Sequence, residues 1–357
     1  MSMTSWRIST RHWPPLRTHN VRPRSDVSRN NNRGDRLIQD VDGDPIVIGL
    51  VNNMPDAALR TTEQQFRALL SASPIGRPVQ LKPFYLPEIS RSDIARRHFM
   101  QDYEPISALW DSRIDGLIVT GAEPKGQVLT DELYWDTLTT LVDWAKDHTI
   151  SAIWSCLAAH ATVLHLDSID RCALNEKLSG VFECRKVADH PILAGVPAQW
   201  RVPHSRYNGL PEDLLVSMGY RLLSTSTEAG ADVFVREQGS LFVFLNGHPE
   251  YHADALFREF RRDVIRFLSR ERDTYPELPK GYFGEDMSRM LETFRQRAVQ
   301  HRTVDLAADL PARGVADERL PQAWHDVAKR IFANWLDYLA TNTAPQHSGF
   351  MALQPGP

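Results

Sequence analysis

The stretch Ser151-Ala152-Ile153-Trp154-Ser155-Cys156-Leu157-Ala158-Ala159-His160 decides the fold. Its first four residues read as a short strand. From Leu157 to Leu166 the spacing changes to that of a helix, with Cys156 at the junction. The same alternation recurs upstream. Ile46–Val51 and Gly116–Thr120 are continuous apolar runs, Val79–Leu86 is a further strand, and helices open after Pro55 and over Thr130–Lys146. Strands alternating with helices predict a mostly parallel sheet covered on both faces, an α/β fold of the flavodoxin-like kind. Three shorter runs, Arg221–Ser226, Val233–Arg236 and Leu241–Leu245, predict an antiparallel extension at one edge. Ala253–Leu268 reads as a strong amphipathic helix. After Pro276 the chain turns polar and helical, ending in the aromatic segment Trp324–Tyr338.

The domain reading follows. Residues 45–270 form the catalytic domain, and 271–342 a helical extension packing on it. Residues 1–44, rich in Arg, Asn, Ser and Pro without hydrophobic periodicity, form a disordered basic tail, and 343–357 a second one. The chain has 357 residues and 41 basic against 45 acidic side chains. That slight acidity argues against nucleic acid as a partner. No apolar run approaches the ~20 residues of a membrane span. Three cysteines, Cys156, Cys172 and Cys184, make no disulfide framework and show no metal-ligand spacing, so the default is a cytoplasmic protein without a metal. The oligomeric state stays open, with a homodimer allowed.

Cys156 on a strand-to-helix turn sits at the carboxyl end of the sheet, where open α/β folds place ligands. The helix N-terminus favours thiolate and a developing oxyanion, with the Leu157 N–H as donor. An inert buried cysteine is nonetheless the commonest fate of a free thiol, and Cys172 and Cys184 are read as structural. A thiolate needs a base, and Gly247-His248-Pro249-Glu250-Tyr251 follows a strand. His248 can take the proton, while Glu250 holds the imidazole in one tautomer. Cys156, His248 and Glu250 thus form a nucleophile, base and orienter suited to acyl transfer or amide hydrolysis. Similar sets serve class I glutamine amidotransferases. Pro203-His204-Ser205-Arg206-Tyr207 offers polar groups for an amino acid. Glu259 and Arg262, three apart on a helix, can present an anion and a cation together.

Taken together, these motifs resemble the homoserine O-acyltransferases of methionine biosynthesis, which are built on the class I glutamine amidotransferase-like fold. The residues carrying the resemblance are Asn53-Met54-Pro55, Thr62-Glu63-Gln64-Gln65-Phe66, Asp115 to Ala122, Tyr134-Trp135, Glu176 to Val181, Pro203 to Tyr207, Gly247 to Tyr251, Glu259 with Arg262-Asp263, and Asn334-Trp335-Leu336. The resemblance implies Cys156 as acyl-thioester nucleophile, His248 as general base and Glu250 as its partner. It implies Lys177, Ser205 and Arg262 at the amino-acid substrate, and succinyl-CoA or acetyl-CoA as co-substrate with no tightly bound cofactor. The third residue after the Thr-Gly-Ala loop bears on donor choice in that family. Here it is Lys125, whose charge would attract a succinyl carboxylate and so favours succinyl. Leu157 and His160 stand where the family has Trp and Gln. Serine as acceptor, a glutaminase-type hydrolase and a catalytically silent ligand-binding relative are the alternatives.

Overall fold

The computed structural model describes residues 44–342, apart from 74, 127 and 312–319. Nearly all of the expected N-terminal tail, and the whole of 343–357, lie outside the described residues.

In chain order the elements are β1 (Ile46–Val51), α1 (Leu59–Ser71), β2 (Val79–Tyr85), α2 (Asp93–Asp102), β3 (Glu104–Pro105), β4 (Gly116–Val119), α3 (Trp135–His148), β5 (Ser151–Ser155) and α4 (Leu157–Asp167). There follow β6 (Cys172–Lys186), β7 (Gln199–Gly209), α5 (Glu212–Ser217), β8 (Arg221–Ser226), β9 (Gly230–Gln238), β10 (Ser240–Leu245), α6 (Ala255–Leu268), α7 (Glu285–Gln300) and α8 (Leu320–Asn342). They build one sheet in the order β3-β2-β1-β4-β5-β10-β9-β8-β6-β7. The six strands from β3 to β10 are mutually parallel, and from β9 outward every pairing is antiparallel.

The pleat sorts side chains to two faces. Along β1, Ile46, Ile48 and Leu50 pack on one face and Val51 on the other. The Val51 face is covered by α3 and α4, through Leu138, Leu141, Val142, Ala159 and Val163. The Ile46 face is covered by α1, through Phe66 and Leu70, and by α8, through Phe332, Trp335 and Leu336. The buried Trp335 indole donates to Ser151 Oγ at 2.9 Å, so its polar handle is satisfied inside the core. A third cluster joins α6 to α7, with Phe257, Phe260, Leu291 and Phe294, and takes in Trp324 of α8.

Three expectations need correction. Leu241–Leu245 is not part of the antiparallel edge: β10 lies inside the sheet, parallel to β5 and antiparallel to β9. All six of its residues are buried, as a strand covered on both faces requires. The helix expected from Thr130 begins at Trp135, after a short 3-10 turn over Leu129–Asp131. Finally, the sequence around Glu176–Gly180 places Lys177 just before a strand, whereas β6 runs over Cys172–Lys186 with Lys177 inside it. Its partner β7 carries Pro203, which is tolerated because β7 is the outermost strand.

Candidate functional site

Cys156, the expected nucleophile, stands at the junction of β5 and α4. Cys156 has φ 51° and ψ −112°, a conformation L-residues rarely adopt. Such strain persists only where the surroundings over-determine it. Here the Cys156 N–H donates to Leu245 O at 2.7 Å, which prolongs the β5–β10 ladder by one bond and fixes the elbow to the neighbouring strand. Leu157 is the first residue of α4, so its N–H has no acceptor within the helix. Gly121, at the end of β4, presses on this N–H. A Cβ at Gly121 would lie 2.9 Å from Leu157 N and 2.6 Å from Leu157 Cβ, a space only glycine leaves open.

His248, the expected base, follows the neighbouring strand β10. Register pairs Ser155 with Leu245, so the residues after β5 and β10 emerge at the same level. The His248 N–H donates to Pro203 O at 2.7 Å, and its Nδ1 lies 2.8 Å from Glu250 Oε1. An ionised carboxylate only accepts, so Nδ1 carries a proton and Nε2 is left for the Cys156 sulfur, which lies near enough to act on the ring. Burial alone would depress the imidazolium. The Glu250 carboxylate and the Cys156 sulfur outweigh it, and His248 is held well above its ordinary value. The Tyr251 ring stacks on His248 at 4.2 Å between centroids. Trp324 of α8 donates to Tyr251 O at 2.8 Å and secures the loop from behind.

A second polar group gathers beside this pair. Glu259 on α6 accepts from Tyr251 Oη at 2.5 Å, from Ser205 Oγ on β7, and from Lys177 Nζ on β6 at 3.3 Å. Lys177 also donates to Asp263 at 2.9 Å, and Arg262 donates to Asp263 through Nε and Nη2 at 3.2 and 3.1 Å. Burial opposes the Glu259 charge, but Lys177 and the two hydroxyls hold its carboxyl below the usual range. The β6 strand is strapped in place from outside. Lys280 N–H donates to Ser179 O, and Val181 N–H to Lys280 O, both at 2.8 Å. Gly180 permits that approach, since a Cβ there would meet Lys280 O at 2.4 Å.

A cavity of about 1160 Å³ opens over these residues. Its walls come from the carboxyl ends of β1, β4, β5 and β10, together with β6, β7 and α6. Cys156, Leu157, His248, Glu250, Lys177, Ser205, Glu259 and Arg262 all line it, so the structure brings these sequence candidates to one place. Lys125 is the exception. It is exposed, its backbone N–H is held by Glu132 Oε1 at 2.6 Å, and Glu123, Pro124 and Gly126 line the cavity around it. Sequence reasoning gave no role to Gly121, Tyr251 or Asp263. A glycine directly after a buried strand was the available signal for the first, but only the fold shows what it faces.

Cys184, His204 and Asp232 are buried together with ligand atoms within 4.8 Å of one another, a grouping their sequence spacing conceals. Burial raises the Asp232 carboxyl to about 6. Its oxygens already accept from Ser224 Oγ at 2.9 Å, the Cys184 thiol and the Gly247 N–H. His204 Nε2 lies 3.6 Å from Asp232 without a hydrogen bond, and the Asp232 carbonyl accepts from the Asn246 N–H of the loop leading to His248.

Residues 33–346 match the family model described as homoserine O-succinyltransferase. A protein of that name from Methylorubrum extorquens is 47% identical over 297 residues, covering 83% of this chain and 88% of the relative. One from Bradyrhizobium japonicum is 48% identical over 310 residues, covering 86% and 93%. One from Nitrosococcus oceani is 35% identical over 290 residues, covering 81% of each. Among solved structures, a glutamine amidotransferase from Thermotoga maritima aligns over 83% of this chain and 99% of its own, at 13% identity and a TM-score of 0.44.

Proposed function

The chain belongs to the homoserine O-succinyltransferase family, and we propose on that premise that it passes a succinyl group from succinyl-CoA, through a thioester on Cys156, to the side-chain hydroxyl of L-homoserine. The observation that carries this reading is the contact of Cys156 with a buried His248–Glu250 pair at the floor of the cavity. It acts in methionine biosynthesis. Among the described residues no helix is long and apolar enough to cross a membrane.

The cycle has two halves. His248 takes the Cys156 proton, and the thiolate attacks the thioester carbonyl carbon of succinyl-CoA. The oxygen of the tetrahedral intermediate points to the Leu157 N–H. The carbon–sulfur bond to CoA breaks, the CoA thiolate takes the proton from His248, and succinyl-Cys156 remains. Homoserine then enters. His248 removes its hydroxyl proton, the oxygen attacks the new thioester, and the bond to Cys156 breaks to release O-succinylhomoserine. The Cys156 thiolate is returned with its proton on His248. Arg262 holds the acceptor carboxylate with Lys177 and Ser205 nearby, and the Glu259 carboxylate receives the ammonium.

Two expected results follow from this assignment. Gly121→Ala places a methyl against Leu157 and shifts its N–H off the oxyanion. Loss of one such donor costs about 10²–10³ in kcat, so kcat should fall by up to that factor while KM for homoserine changes little. A variant with wild-type kcat would remove Leu157 from the oxyanion role. Arg262→Ala should leave uptake of the acyl group intact and weaken its transfer to homoserine about ten- to a hundredfold, as expected for one charged hydrogen bond. Single-turnover intact-mass kinetics separate the halves. A folded variant that fails to acylate Cys156 would place Arg262 on the CoA side.

A further inference from the structure

With Lys125 outside the cavity, a succinyl carboxylate needs another receiver. Two arginines, Arg171 just before β6 and Arg206 on β7, line the cavity together with His160 of α4. Arg206 is only 7% exposed. Its terminal nitrogens donate to backbone carbonyls, Asn208 O at 2.5 Å and Ala229 O. Its Nε is buried without a partner, and among the described residues no carboxylate is hydrogen-bonded to this cation. The negative groups close enough to favour its charge are the Cys156, Asp232 and Cys184 side chains. Arg171, just before β6, lines the same cavity and lies near Tyr134 and Glu132.

His160 lies near enough to both to feel their charges. It is buried, and burial followed by the charges of Arg206 and Arg171 pushes it down to about 3, so it adds no charge of its own. Neither ring nitrogen has a partner at hydrogen-bond geometry, although the Asn246 amide is near enough to be felt. Asp170 also lines the cavity. The wall beyond the nucleophile is thus cationic and holds a buried donor with nothing to donate to.

We propose that Arg171 and Arg206, which line the cavity with His160, receive the distal carboxylate of the succinyl group, and that this site rather than Lys125 selects the acyl donor. The inference rests on the reading of Cys156 as the acyl carrier. The reach is right. Three carbon–carbon bonds separate the thioester carbon from the carboxylate carbon, about 4 Å extended at ordinary bond lengths. Four residues of α4 from Cys156 to His160 advance about 6 Å. An acetyl group would leave the buried Arg206 Nε unpaired, and sites built to bond a polar group discriminate strongly against an analogue lacking it.

The test compares Cys156 acylation by succinyl-CoA and by butyryl-CoA, which puts a methyl where succinyl has its carboxylate. Intact mass follows the full-length protein in each case, and butyryl uptake reports whether a variant remains folded and armed. Wild type should prefer succinyl. Arg171→Met should lower the succinyl-to-butyryl ratio about ten- to a hundredfold, the worth of a charged hydrogen bond. Arg171→Lys, which keeps the charge, should recover most of it, and Lys125→Glu should leave the ratio near wild type. Equal loss with both donors in Arg171→Met, or a ratio that moves with Lys125→Glu and not with Arg171→Met, overturns the site. Wild type that takes up neither acyl group overturns the acyl-carrier reading itself, a result distinct from either.

Discussion

Cys156→Ala should bring turnover to a stop. Removing the nucleophile of a linked catalytic set costs on the order of 10⁶ in kcat, since no other group stands where the thioester must form. The remaining thiols offer no substitute. Cys184 is fully buried, and desolvation followed by the Asp232 charge raises its thiol far above the ordinary range. Cys172 is exposed at the start of β6 and is not among the residues lining the cavity. Wild type mixed with succinyl-CoA alone should gain one succinyl mass, and peptide mapping should find it on Cys156. An acylated Cys172 or Cys184, or activity surviving in Cys156→Ala, would contradict the assignment.

The second large effect divides the base from its partner. General-base catalysis is worth roughly 10²–10⁴-fold, so His248→Ala should lose at least that in kcat/KM. Glu250→Gln keeps the bond to Nδ1 but removes the charge, and should lose less. The two differ further in pH dependence. In the acyl-enzyme the sulfur is masked, and Glu250 is the group that still lifts the His248 imidazolium against its burial. Transfer to homoserine needs the neutral ring, so a raised imidazolium puts the acid limb of wild-type transfer at higher pH. Without the Glu250 charge the imidazolium is less stable, and the limb should move to lower pH while the plateau rate falls. Single-turnover transfer measured from pH 5 to 9 reads both changes. A limb that stays in place in Glu250→Gln means that the carboxylate does not set the base.

The parallel half of the fold was legible because its strands are short apolar runs buried on both faces. For the same reason Leu241–Leu245 announced a strand but not its place. A run covered on both sides looks alike whether its neighbour is parallel β5 or antiparallel β9. The hairpin of β6 and β7 was nearly silent, because exposed residues dominate the first part of β6 and its register shifts between Ala173 and Leu178. Cys156 and His248 could be paired from their local settings, each at the end of a strand. Arg206 and Arg171 could not, since a charged residue near a strand end reads the same whether it faces solvent or a cavity. Lys125 illustrates the converse. Its place in the motif suggested a pocket residue, yet Glu132 accepts from the N–H groups of Lys125 and Gly126 and fixes the loop while the Lys125 side chain is exposed.

The pairing of β5 with β10 also sets an order of events during synthesis. The Ser151 hydroxyl donates to Leu241 O across a gap of 90 residues, and the elbow at Cys156 is fastened to Leu245 on that same late strand. While a ribosome is still making β6 to β9, the thiol has neither its tethered backbone nor its base. Domains fold as units as they emerge, and contacts this distant in sequence are slow to form. The nascent chain therefore carries an ordinary cysteine, and the reactive one comes into being only when β10 slides in beside β5.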